Sequence, residues 1–170
     1  MIEIREENVA DHKAISEVLR EAFDGDDEVQ LVNAIRKSQG FIPELSLVAL
    51  HNRSELVGYI LFSEVEIHTE KGSVPSLALA PVAVVPKLQN EGIGSMLIKG
   101  GMMRATSLGY RHVVVLGHKE YYPKFGFVPA SEKNITGPFQ AGDSFMVREL
   151  KKDALSDVSG EVVYPKAFGI

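Results

Sequence analysis

Val82-Ala83-Val84-Val85-Pro86-Lys87-Leu88-Gln89-Asn90-Glu91-Gly92-Ile93-Gly94 joins an apolar, strand-like run to a glycine turn, and a helix-like segment follows. The first amides of a helix have no partner within it and carry a partial positive charge, so a turn without side chains lets a phosphate approach them. Gly92 and Gly94 provide that access. Taken alone, Gly-x-Gly fits equally well a tight turn that holds nothing. A dinucleotide fingerprint needs a third glycine three residues after the second, where Leu97 stands, and a Walker loop needs Gly-Lys-Ser/Thr, which does not follow. Both of those families place the loop after their first strand, whereas at least three strand candidates precede it here.

Upstream of the turn, Leu77, Ala78, Leu79, Ala80 and Val82 form a nearly continuous apolar strand from about Ser76 to Val84, as expected where both faces are covered. Pro81 removes a ladder donor inside that run, so a bulge or a local parting of strands is expected near Pro81 to Val84. Downstream, a helix is predicted over about Gly92 to Leu108, with Ile93, Met96, Leu97, Ala105 and Leu108 toward the sheet and Gly109 as its stop. Gly100-Gly101 costs that helix about 1 kcal/mol per glycine relative to alanine, which points to close packing on the sheet. His112 to Leu116 reads as a buried strand, parallel to the preceding one because a helix connects the two.

Toward the N-terminus, Ile2 and Ile4 alternate as a short strand does. Ala14, Ile15, Val18, Leu19, Ala22 and Phe23 then recur at helical spacing, and Asp24-Gly25-Asp26 breaks the pattern. A second helix is predicted from about Asp27 to Lys37, acidic at its start and basic at its end. Leu45 to Leu50 and Leu56 to Ile67 read as two further strands joined around His51-Asn52-Arg53-Ser54. Tyr121 and Tyr122 begin a short helical turn, Phe125-Gly126-Phe127 leads to another strand, and Ser144 to Leu150 gives a last antiparallel one. No element is assigned after Leu150.

A chain of 170 residues, 45% hydrophobic and 24% charged, has the size and composition of one globular domain. No apolar run approaches the roughly 20 residues of a membrane helix, and Met1 to Glu7 has no signal-peptide pattern, so a cytoplasmic protein without a membrane partner is expected. The chain has no cysteine, which removes disulfides, thiolate metal sites and a cysteine nucleophile. Its histidines, His12, His51, His68, His112 and His118, lack paired ligand spacing, and no metal site is predicted. The net charge of −5 argues against non-specific nucleic-acid binding. That charge is uneven: from Lys87 to Lys124 six basic residues face two acidic ones, +4 in all, which leaves −9 for the rest. An anionic cofactor on the basic segment and a cationic substrate on the remainder would fit, as would solvated surface charge.

Pro86-x-x-Gln89-x-x-Gly92-x-Gly94, followed some thirty residues later by Tyr121-Tyr122-Pro123-Lys124-Phe125-Gly126-Phe127, resembles the GCN5-related N-acetyltransferase (GNAT) superfamily. The first stretch is similar to that superfamily's Gln/Arg-x-x-Gly-x-Gly/Ala acetyl-CoA motif, the second to its Tyr-x-x-x-Gly-Phe segment. The wording around both is similar to its YhbS-like group of bacterial predicted acetyltransferases. The resemblance implies an α/β (α+β) GNAT fold over residues 1–150, with residues 151–170 as an extension. That fold is a mixed, mostly antiparallel sheet of six to seven strands, with a parallel splayed pair in the middle and helices on both faces.

It further implies an acetyl-CoA-dependent N-acetyltransferase that moves the acetyl group directly to a primary amine of a small molecule or peptide, with homodimerisation common in the family. Val82, Ala83 and Val84 would meet the pantetheine arm, with the backbone at Ala83 and Val84 pairing to it as an added strand does. The amides from Gln89 through Asn90, Glu91, Gly92, Ile93 and Gly94, with Ser95 behind them, would hold the pyrophosphate. Tyr122, four residues before Gly126, falls near the cofactor sulfur as hydrogen-bond donor or acid.

An alkylammonium of pKa about 10.4 is neutral about once in 10^3.4 molecules at pH 7, about 4.6 kcal/mol of barrier, so a base or a water relay is expected. Glu64, Glu66 and His68 share one strand face; Glu64 and Glu66 are candidate bases, and solvent-facing strand residues otherwise. Two other functions remain open on the sequence: a non-catalytic acyl-CoA sensor or interaction domain with the same fold, and a Rossmann-type nucleotide binder that the missing third glycine disfavours.

Overall fold

The computed structural model describes all residues, Met1–Ile170. In chain order the main elements are β1 (Ile2–Glu6), α1 (His12–Phe23), α2 (Asp27–Arg36), β2 (Phe41–His51), β3 (Glu55–Thr69), β4 (Gly72–Val84), α3 (Ile93–Ser107), β5 (His112–Leu116), β6 (Val128–Pro129), β7 (Ile135–Thr136), β8 (Phe145–Glu149) and β9 (Gly160–Val163). Seven strands form one continuous path in the order β1-β2-β3-β4-β5-β8-β6, antiparallel throughout except for the parallel β4–β5 pair. The expected mixed sheet with a central parallel pair is therefore present. Strands β2 and β4 begin earlier than the apolar patterns suggested, at Phe41 and Gly72: β4 because its pairing to β3 continues to Gly72↔Thr69, β2 because Phe41 pairs with Ser63 across a register break over residues 42–45.

Residues after Leu150 do not stand apart from this sheet. Gly160–Val163 pairs with β3 at Glu66, Ile67 and His68 and with the short β7, so the C-terminal segment completes an edge that β2 covers only as far as Ser63.

Helices lie on both faces. Strand β3 is regular between Tyr59 and Phe62, so these side chains point to opposite sides. Phe62 packs under Gly101 of α3, where an added Cβ would come within 2.8 Å of the ring. Gly101 thus explains half of the glycine pair in α3; a Cβ at Gly100 would meet only Arg104 Nη1, at an ordinary contact distance of 3.9 Å. On the other face, the Tyr59 hydroxyl meets Ser46 at 2.6 Å and Glu7 at 3.3 Å. Glu7 also takes Arg36 of α2 at 3.0 Å through both nitrogens and His12 of α1 at 2.8 Å. Burial of this carboxylate disfavours its charge, but hydrogen bonds from Arg36, Ser46 and His12 outweigh that and hold its pKa below the ordinary value. The helix pair is thereby pinned to the sheet. No helix is long and apolar enough to cross a membrane.

The site is positioned by two irregularities of β4. Ile60 pairs with Val82 and Phe62 with Leu79, so Ala80 and Pro81 together oppose Leu61: this is the bulge expected from Pro81. Pairing of β4 to β5 is limited to Leu77↔Val113 and Ala78↔Val114, and beyond them the two strands part.

Candidate active site

Where β4 and β5 separate, a cleft of about 590 Å³ opens between the end of β4, the start of α3 and the segment after β5. Val82, Ala83, Val84, Gln89, Asn90, Gly92, Ile93, Gly94 and Ser95 all line it, as the sequence motif implied. Glu91, which is exposed, does not, nor does Tyr122, which is buried behind the lining residue Tyr121.

Strand alternation decides which main-chain groups of β4 are free. Val85 N–H donates to the Val57 carbonyl at 2.9 Å, so in this antiparallel ladder Tyr59↔Ala83 is the next pair to exchange both bonds. Gly58↔Val84 and Ile60↔Val82 exchange none. The main chains of Val82 and Val84 consequently face the gap, whereas Ala83, expected to offer its backbone there, is committed to β3. Gln89 bears this out: its Nε2 donates to the Val84 carbonyl at 3.1 Å from outside the ladder.

At the turn, Asn90 and Gly92 both adopt left-handed backbone, φ 67° and 86°. Gly92 caps α3 without a side chain to offer, and the amides of Ile93, Gly94 and Ser95 have no partner in the chain. Three N–H donors and the positive end of a 15-residue helix thus converge on the cleft.

Tyr122 opens the 3₁₀ turn Tyr122–Phe125, and its ring packs on Gly117, the residue after β5, and edge-on to Phe127 at 5.5 Å. The residue is 7% exposed. Its hydroxyl has no partner in the chain, and His112 Nε2 is the one fully buried side-chain polar atom left unpaired, so the Tyr122 oxygen still reaches solvent. Burial and the neighbouring Tyr121 push its pKa up to about 12.

Glu64 and Glu66 lie elsewhere. Glu64 accepts the Tyr110 hydroxyl at 2.6 Å, beyond the C-terminal end of α3, and Glu66 stands exposed 3.5 Å from His68. Both line a separate depression with Gly40 and Tyr164. Alternation alone placed them on one face; which end of the sheet that face served depended on where β4 and β5 part. Conversely, Leu88, His118, Tyr121 and Lys124 line the cleft, and of these only the tyrosine-rich segment carried a signal in the sequence.

Residues 43–129 match the family model described as an acetyltransferase (GNAT) domain. The "Uncharacterized N-acetyltransferase YhbS" of Escherichia coli strain K12 is 34% identical over 166 residues, 97% of each chain. The "Uncharacterized N-acetyltransferase YjhQ" of the same strain is 37% identical over 131 residues, 76% of this chain and 72% of the relative. Among solved structures, that of E. coli YhbS in complex with CoA superposes with a TM-score of 0.91 at 30% identity, covering 99% of this chain and 92% of that one. A GNAT family acetyltransferase from Brucella melitensis in complex with acetyl-CoA gives 0.79 at 30% identity, covering 99% and 98%. Sequence motifs, the parted parallel strands and these relationships agree: this chain belongs to the GNAT family of acetyltransferases.

Proposed function

We propose that the chain binds acetyl-CoA in this cleft and transfers its acetyl group directly to the primary amine of a small molecule or peptide. The carrying observation is the coincidence, in one cleft, of a β4 edge unpaired at Val82 and at the Val84 N–H, the Val84 carbonyl accepting only from the Gln89 side chain, with the three unpaired amides of Ile93, Gly94 and Ser95. The first set suits the amides of pantetheine and the second a diphosphate. Complexes of YhbS with CoA and of the Brucella melitensis relative with acetyl-CoA support the same reading.

In this scheme the neutral amine attacks the thioester carbonyl; the C–N bond forms, the C–S bond breaks and the thiolate departs. The Val82 or Val84 N–H donates to the developing oxyanion. Tyr122, with a pKa near 12, is about 3.5 units weaker as an acid than a thiol of ordinary pKa near 8.5, about 5 kcal/mol uphill for full proton transfer. It therefore serves the departing sulfur as a hydrogen-bond donor, and solvent supplies the proton. No carboxylate lines the cleft, so the ammonium proton of the acceptor leaves to water. The −9 charge of the chain outside residues 87–124 favours a cationic acceptor.

Free-thiol release from acetyl-CoA across a library of polyamines, amino acids, aminoglycosides and peptides tests this. Amine-dependent release with matching acetylated product is the expected result. Tight acetyl-CoA binding without release on any amine would instead make the chain an acyl-CoA sensor.

A further inference from the structure

A diphosphate seated at the start of α3 has two faces, and the amides of Ile93, Gly94 and Ser95 reach only one. The opposite wall is built by Tyr121 and Lys124. A Cβ added at Gly94 would lie 3.3 Å from the Tyr121 hydroxyl, so this ring closes directly against the glycine turn. It is fixed in place by edge contacts to Tyr122 and Phe125, each at 5.2 Å. The Lys124 ammonium sits 4.9 Å from the Tyr121 ring centroid, at the cleft.

The two lysines flanking the turn differ in their commitments. Lys87 is paired with Glu55 at 2.8 Å, whereas Lys124 has no carboxylate within ion-pair distance. Its charge rests only on a π face, an interaction of about 0.5–1 kcal/mol at exposed sites, which orients the ammonium without neutralising it. An uncompensated cation lining the same cleft as three unpaired N–H donors is an arrangement suited to holding an anion between them.

We propose that Lys124 is the second jaw of the phosphate seat, pairing with the coenzyme diphosphate, and that Tyr121 is its positioning residue. The proposal rests on the reading of the cleft as the acetyl-CoA site. Lys124 would make the enzyme discriminate donors by their diphosphate and not by their acyl or pantetheine part.

The test compares parent and Lys124→Met with acetyl-CoA, acetyl-dephospho-CoA and S-acetylpantetheine, by equilibrium binding and by kcat/KM. Expected are losses of about tenfold for the first two donors and none for the third, with the parent's salt sensitivity reduced. Tyr121→Leu, which keeps the charge but removes its platform, should lose part of that factor, while Tyr121→Phe keeps it. Lys119→Met, an exposed cation on the same segment outside the cleft, should change nothing. Unchanged affinity in Lys124→Met, an equal loss for all three donors, or a loss confined to acetyl-CoA would each overturn the assignment to the diphosphate. A parent that binds none of the donors would overturn the coenzyme reading itself, which the first measurement reveals before any variant is made.

Discussion

Gly117 and Tyr122 occupy each other's space: a Cβ at Gly117 would fall within 3.0 Å of the Tyr122 ring carbon Cδ2 and closer still to Cε2. The aromatic ring thus fills the hollow left by a missing side chain, at the point where β5 ends and the parted strands open. Gly117→Ala would force the ring outward at a cost of about 1–3 kcal/mol. Thermal unfolding should register that loss, and steady-state kinetics a fall in kcat with the acetyl-CoA Kd within a few-fold of the parent. An unaltered kcat would separate the ring's position from catalysis.

Tyr122→Phe isolates the hydroxyl from the packing, since the ring and its contact with Phe127 remain. With no intramolecular hydrogen bond to lose, stability should change little, while turnover drops at least about tenfold through loss of the donor to the leaving thiolate. Equal turnover of variant and parent would remove Tyr122 from the reaction.

Gly92→Glu places a carboxylate beside the unpaired amides of α3 and imposes a left-handed φ of 86° on a residue with a side chain. The strain, about 1–2 kcal/mol, is offset in part by the favourable position of a negative charge at a helix start. Binding should suffer far more than folding: acetyl-CoA affinity should fall at least about 100-fold in calorimetry while the thermal midpoint moves by a few degrees. Undiminished affinity would refute the phosphate seat.

His112 is fully buried, bonded through Nδ1 to Ser76 at 2.7 Å, with Nε2 unpaired. Burial, and secondarily Arg111, lowers its pKa from the ordinary 6.5 to about 4. The unfolded chain therefore takes up a proton that the folded chain refuses. This contribution is complete above pH about 6.5 and is lost as pH falls toward 4, by about 3 kcal/mol over the interval. Urea unfolding across that range should show the decline, and His112→Gln should flatten it. Equal slopes for variant and parent would count against this origin.

Glu7 and Arg36 are 7% and 11% exposed at their side chains and hold α2 to the sheet. Arg36→Met leaves the Glu7 carboxylate without its main partner and should cost about 3–5 kcal/mol, whereas pairing it with Glu7→Gln should recover much of the loss. Because the folded pKa of Glu7 is depressed, its own contribution is present above the unfolded value of 4.5 and fades as pH falls from there through the folded one, a window that overlaps the acid end of the His112 range. Denaturation midpoints of the single and double variants at pH 7 check the coupling.

The amino-acid sequence determined whatever depends on near neighbours in the chain. Gly92 and Gly94 specify a bare helix start, Pro81 specifies an interrupted ladder, and the Tyr121 to Phe127 segment specifies a tight aromatic turn, because glycine freedom, the missing proline donor and apolar period act over a few residues. The tertiary structure decided what depends on register and on which distant elements meet. Val82 and Val84 face the gap and Ala83 does not, because that parity is set by pairing with Tyr59. Glu64 is engaged by Tyr110 and not by the cleft, Lys124 rests on Tyr121 opposite Gly94, and residues 160–163 complete the β3 edge. A one-residue shift in strand pairing would reverse the assignments on β3 and β4 without altering the local pattern, since side chains and main-chain donors alternate with period two and only cross-strand packing fixes the phase.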